Sequence, residues 1–183
     1  MNGEITNKNN MNILARFKPI KLFALDVDGV LTDGSLLVFN DGQMVRKMNI
    51  KDGYALQLAI RKGYHLLIIS GGNSEAVKLR LEKLGVANVE MGITDKTTVL
   101  QKYMQQYGIV KEEVLYMGDD MPDRKVMQLA GLACCPSNAV AEIRDIAGYI
   151  SPLKGGEGCV RDVIEKVLKL HGKWNDDDGI ASK

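Results

Sequence analysis

Lys21-Leu-Phe-Ala-Leu-Asp26-Val-Asp28-Gly29 is a short apolar run that ends in two carboxylates and a glycine. A run of that length with nothing polar inside it fits a strand buried on both faces, as strands of parallel sheets are. His65-Leu-Leu-Ile-Ile-Ser70 repeats the pattern and ends in Gly71-Gly72. Residues 87–91 give a weaker third run, Glu113-Val-Leu-Tyr-Met-Gly118 a fourth, and 132–135 and 149–150 two short candidates for the far edge. Helical patterns fill the gaps over 54–62, 73–84, 96–107, 122–130 and 157–170. Strands alternating with helices predict an α/β fold with a doubly wound, mostly parallel sheet.

One stretch breaks the alternation. Ser35-Leu-Leu-Val-Phe39, then Asn40-Asp41-Gly42, then Gln43-Met-Val-Arg-Lys-Met48 reads as a β-hairpin turning at Asp41-Gly42. This insertion, 35–48, follows the first strand directly, so it is placed over the carboxyl ends of the parallel strands, the usual ligand face. It carries apolar side chains on both faces. One face is expected to pack on its own domain, leaving the other for a neighbour.

The chain has 183 residues, enough for one domain with a real core. That domain is expected over 20–173, with 1–19 a flexible extension and 174–183 a mobile acidic tail. Lysine plus arginine number 24 against 23 acidic residues, a net charge of +1, which offers no electrostatic footprint for nucleic acid or an anionic membrane. No apolar run is long enough to span a bilayer. Met1 to Asn10 is polar and lacks the apolar stretch of a secretory signal, and Cys134, Cys135 and Cys159 have no metal-ligand spacing. A cytoplasmic protein with incidental thiols is the expectation.

Four polar clusters fall at predicted strand ends: Asp26-Val-Asp28-Gly29, Ser70-Gly71-Gly72, Lys96, and Gly118-Asp119-Asp120-Met-Pro-Asp123. A parallel sheet opens all four loops on one edge, so distant residues can converge there. Carboxylates from two strand ends in one crevice repel each other without a cation, and hard oxygen ligands suit Mg²⁺. Ser70 and the amides around Gly71 and Gly72 can bind phosphate oxygens, and Lys96 offsets the negative charge.

These motifs, in this order, resemble the haloacid dehalogenase superfamily of phosphohydrolases. The resemblance implies Asp26 as a nucleophile that becomes a phospho-aspartate and Asp28 as general acid and base. It also implies Mg²⁺ on the Asp26 carboxylate, the Asp28 backbone carbonyl and Asp119. Asp120 and Asp123 would support the metal site, and Ser70 and Lys96 would hold the phosphate. Large members insert a cap domain, but only the hairpin and one helix lie between Asp28 and Ser70, and positions 71–95 alone separate Ser70 from Lys96. Neither gap holds a folded cap.

The finer resemblance is to the family of 3-deoxy-D-manno-octulosonate 8-phosphate phosphatases, capless tetramers of lipopolysaccharide sugar biosynthesis. It rests on Asn49-Ile-Lys51-Asp52-Gly53-Tyr54, on Arg80, and on Gly155-Gly-Glu-Gly158-Cys-Val-Arg161. It implies that Asn49, Lys51, Asp52, Gly53, Gly71, Gly72 and Arg80 contact substrate, with Arg80 on the sugar-acid carboxylate. It further implies a homotetramer built through the hairpins, and a Gly155–Gly158 segment that approaches a neighbour's active site. Some members carry arginines where this chain has Gln57 and Gly72. Relatives acting on the 9-phosphate of a nine-carbon sugar acid (2-keto-3-deoxynononate or an N-acylneuraminate) place a larger acidic residue at 72, so Gly72 favours the eight-carbon substrate. A receiver-type signalling domain would place its acidic pair before the phosphorylated aspartate and its lysine last, yet Lys96 precedes Asp119-Asp120 here. A non-catalytic protein on the same fold would not need both Asp26 and Asp28.

Overall fold

Leu22–Leu25 (β1) is buried at every position, which explains why its sequence shows no polar alternation. Phe23 and Leu25 enter one apolar cluster while Leu22 and Ala24 enter another, so the two faces of the strand feed two cores. Leu66 and Ile68 against Leu67 and Ile69 divide in the same way along His65–Ile69 (β4). The computed structural model describes residues 13–175 and 179–180.

After β1 the chain forms the hairpin of Leu37–Val38 (β2) and Met44–Val45 (β3), then helix Ile50–Arg61 (α2), with residues 13–17 forming a first helix, α1. Glu75–Lys83 (α3), Val89–Glu90 (β5), Lys96–Tyr107 (α4) and Val114–Met117 (β6) follow β4. Arg124–Met127 (α5), Leu132–Cys135 (β7), Ala141–Ile146 (α6), Tyr149–Ile150 (β8) and Cys159–Leu170 (α7) complete it. The six-stranded sheet runs β5-β4-β1-β6-β7-β8, and every pairing in it is parallel. α2, α3 and α7 supply Leu56, Leu81 and Val163 to one face, whereas α4, α5 and α6 supply Leu100, Val126 and Ile143 to the other. The sheet is doubly wound, as expected. β1 lies at its centre, so Asp26 emerges mid-edge with β4 and β6 on either side.

Several boundaries differ from expectation. α2 begins at Ile50 because Asn49 caps it, its side chain accepting from the Lys51 amide. The predicted helix over 122–130 shrinks to a 3₁₀ turn, Met121–Asp123, and the single turn of α5. α6 carries too short an apolar pattern to be read from the sequence. The extension expected to end at residue 19 already belongs to the core at Phe17, which is fully buried with its ring edge-on to Tyr149 at 5.1 Å. Trp174, assigned to the tail, packs on the core against Tyr54, with the Arg161 guanidinium 5.2 Å from its ring. Residues 1–12, 176–178 and 181–183 of the two expected mobile ends lie outside the described residues.

The hairpin forms as read, with Leu37 opposite Val45 and Val38 opposite Met44. Its expected packing does not. Leu37 is 60% and Val38 65% exposed, and Leu36, Phe39, Met44 and Val45 are exposed as well. Both faces of the ribbon therefore stay largely exposed, and among the described residues neither rests on the chain's own core.

Candidate active site

The chain leaves β1 through a turn over Val27–Leu31 in which Gly29 has φ +83°. A Cβ at Gly29 would lie 1.9 Å from Asp119 Oδ2. Only glycine therefore lets the first loop meet the loop after β6. Asp26 Oδ1 accepts from the Val27 amide at 2.7 Å, and Thr32 Oγ1 accepts from the amides of Gly29 and Gly34. The cavity these loops enclose has a volume of about 290 Å³ and is lined by Asp26, Asp28, Ser70, Lys96, Asp119 and Asp123 among others.

Lys96, at the first position of α4, is buried between two carboxylates: its Nζ lies 2.9 Å from Asp26 Oδ1 and 2.8 Å from Asp123 Oδ1. Asp123 is fully buried and organises its neighbours, accepting also from Tyr116 Oη at 2.8 Å and from the Asp119 amide at 3.1 Å. Oxygens of Asp26, Asp119 and Asp123 all lie within 4.8 Å of one another. One lysine faces three carboxylates. Burial, then the charge of Asp123, push the Asp26 carboxyl up against the pull of Lys96. Burial, Asp123 and Asp120 push Asp119 up to about 7. Burial works against the charge on Lys96, but Asp26 and Asp123 outweigh it and raise its pKa. A crevice that ionises its carboxylates this reluctantly has room, electrostatically, for a further cation. The all-oxygen donor set suits a hard divalent ion.

Ser70 follows β4 directly, and its Oγ accepts from the Gly72 amide at 3.1 Å, leaving the hydroxyl proton to donate into the cavity. Gly71 and Gly72 line the same cavity. The Asp28 carboxylate lines the same cavity and is held by Arg46 of the hairpin, at 2.7 and 3.2 Å. Asp120 lines the cavity rim, and its Oδ1 accepts from the Met121 amide to start the 3₁₀ turn.

The remaining expected contacts are spread further. Asn49 Nδ2 donates to Gly156 O at 3.1 Å, tying α2 to the Gly155–Gly158 segment. That segment packs on its own chain: the Gly156 amide donates to Val30 O at 3.0 Å, and a Cβ on Gly155 would lie 1.8 Å from Gly29 O. In this chain it braces the back of the first loop. Lys51 is exposed and lines a groove with Arg161 and Glu157. Gly53 packs against Leu84, and Gln57 Nε2 donates to Gly53 O. Arg80 lines a second cavity of about 710 Å³ between the hairpin and α3, together with Met44, Arg46, Asn73 and Ser74.

Asp52 departs most from expectation. It is 1% exposed, outside both cavities, and its Oδ1 accepts from the Arg161 amide at 2.7 Å at the start of α7. Among the described residues its Oδ2 has no hydrogen-bond partner. Burial raises its pKa from 3.8 to about 6, against the Arg161 amide and charge. The folded chain holds this proton more tightly than the unfolded one. The contribution is therefore complete below pH 3.8 and is lost as pH rises through about 6. Asp52→Asn, neutral throughout, is expected to gain stability relative to the parent by up to ~3 kcal/mol between about pH 4 and pH 7. Urea melts at those two pH values check the sign. A constant difference would place the titration elsewhere.

Arg46, Tyr116 and Thr32 were not read from the sequence. Tyr116 sits inside an apolar strand, where its hydroxyl gives no signal, and Arg46 is one cation among several on the hairpin.

Residues 87–164 match the family of haloacid dehalogenase-like hydrolases. The chain is also 32% identical to the 3-deoxy-D-manno-octulosonate 8-phosphate phosphatase of Escherichia coli K12, over 92% of this chain and 89% of that one. The chain belongs to this family of haloacid dehalogenase-like phosphatases. The crystal structure of the Yersinia pestis phosphatase superimposes with a TM-score of 0.87 at 29% identity, covering 94% of this chain and 91% of that one. The Moraxella catarrhalis phosphatase, solved with magnesium, phosphate and KDO, gives 0.83 at 36% identity over 87% and 91%. Membership accounts for the doubly wound sheet. Among the described residues no helix is long and apolar enough to cross a membrane.

Proposed function

We propose that the chain hydrolyses 3-deoxy-D-manno-octulosonate 8-phosphate through a phosphoryl-aspartate on Asp26. The observation that carries this is the convergence of Asp26, Asp119 and Asp123, two of them paired with Lys96, in one small cavity that Ser70 also lines. An Asp26 carboxylate oxygen attacks phosphorus, and the ester P–O bond breaks as Asp28 gives its proton to the departing alcohol. Asp28 then takes a proton from water, which attacks the same phosphorus and breaks the P–O bond to Asp26, releasing phosphate. Ser70 and Lys96 hold the transferred group. Mg²⁺ held by Asp26, the Asp28 carbonyl and Asp119 would offset the charge of carboxylates and phosphate. The named complex of the Moraxella relative supports both the metal and the eight-carbon product. Arg80, which lines the second cavity, would take the sugar-acid carboxylate. A panel of eight- and nine-carbon sugar-acid phosphates, with Mg²⁺ and with EDTA, tests the reading: release should be fastest for the eight-carbon ester and lost with EDTA. Faster turnover of a nine-carbon 9-phosphate would reassign the substrate.

The same reading includes a cytoplasmic homotetramer, supported by a hairpin whose apolar faces are both uncovered. Joining several hairpins would cover these faces and pair their open edges. Replacing Leu37 and Phe39 together with Asp is expected to dissociate the assembly and weaken substrate binding with it. Light scattering beside a KM measurement checks this, and a wild-type chain that is monomeric while fully active defeats it.

A further inference from the structure

The two candidate catalytic aspartates are oriented from different directions. Asp26 is fixed from within the sheet, by the Val27 amide and Lys96. Asp28 is fixed from outside it. Arg46 follows β3, and its Nε and Nη2 meet Asp28 Oδ1 and Oδ2 at 2.7 and 3.2 Å. The Arg46 side chain is 7% exposed, against 35% for Asp28, so the guanidinium is the more enclosed of the two. A two-point fork fixes the plane of a carboxyl as well as its distance. The other contact to Asp28, from Thr32 Oγ1, is 3.5 Å long, at the limit of a hydrogen bond. The fork fits because position 72 has no side chain: a Cβ there would lie 2.8 Å from Asp28 Oδ2 and 3.1 Å from Arg46 Nη2.

We propose that Arg46 is a positioning residue, which aligns the Asp28 carboxyl toward the leaving alcohol in the space that Gly72 leaves open. The proposal rests on the reading of Asp28 as the general acid. It makes the hairpin part of the catalytic apparatus, because the group that aims the acid is carried on the same element as the exposed apolar faces. A lysine at 46 could meet one oxygen but could not fix the plane.

The test is the dependence on leaving group. An alkyl phosphate needs a proton delivered to its departing oxygen, whereas p-nitrophenyl phosphate expels a stable phenolate and does not. kcat/KM reports the steps through loss of the alcohol, so it isolates this effect. Arg46→Gln is expected to lower kcat/KM for a simple alkyl phosphate and for the sugar-acid phosphate by roughly 10²-fold. The fall for p-nitrophenyl phosphate should be smaller by about tenfold or more, and Arg46→Lys should restore only part of the loss. Gly72→Ala, which presses on the same pair without removing it, should reproduce the selective loss and carries the test if Arg46→Gln does not fold. Equal losses on all esters, no loss, or a KM rise confined to the sugar acid would overturn the proposal, the last by making Arg46 a sugar contact. A wild-type chain inactive toward every ester would overturn the phosphatase reading and this proposal together. Wild-type activity with an unselective effect in both variants would overturn this proposal alone.

Discussion

Asp26→Asn is expected to abolish phosphate release while the chain stays folded. The attacking atom must be an anionic oxygen, and an amide oxygen at the same place forms no stable phosphoryl ester. The fold should tolerate the change. The Asn oxygen can still accept from the Val27 amide and from Lys96, which lie 2.7 and 2.9 Å from Asp26 Oδ1. Loss of the charge also removes the burial penalty and the Asp123 repulsion that now push the Asp26 carboxyl up. A thermal melt at least as high as the parent's, with no phosphate released in Mg²⁺ from any ester of the panel, is the expected pair of results. Substantial turnover by the folded variant would remove Asp26 as nucleophile.

Asp28→Asn should slow turnover of alkyl phosphates by roughly 10²–10⁴, the usual range for a general acid and base. Asn is the better substitution than Ala because its oxygen can keep one bond to Arg46. Truncation would strand an enclosed guanidinium without its carboxylate, which is strongly destabilising. Single-turnover rates at neutral pH check the prediction free of product release. An unchanged single-turnover rate would take Asp28 out of the chemistry.

The fold was largely legible because its signals are local. The apolar runs at β1, β4 and β6 need no partner to be recognised, and the carboxylates, serine and glycines that end them mark the functional edge. α4 has the span expected from its pattern, 96–107, with Asp95 capping one end and Gly108 closing the other in the left-handed conformation. The candidate site was legible to the same depth. Asp26, Ser70, Lys96, Asp119 and Asp123 do meet in one cavity, since each follows from strand order along the chain.

The sequence alone determined which residues can reach the sheet edge, and therefore the chemistry available there. Only the tertiary structure decided how those residues are used. Asp52 sits beside Lys51 and Gly53 in a segment that resembles a substrate-binding one, yet packing of α2 on α7 buries it against the Arg161 amide. Asp28 looks like a neighbour of Asp26, yet it is turned toward Arg46, eighteen residues away. The Gly155–Gly158 segment closes on its own first loop. The physical reason is the same in each case. Periodicity and capping are set by residues a few positions apart, whereas an ion pair or a buried cap depends on which distant surfaces the packed helices and the hairpin bring together.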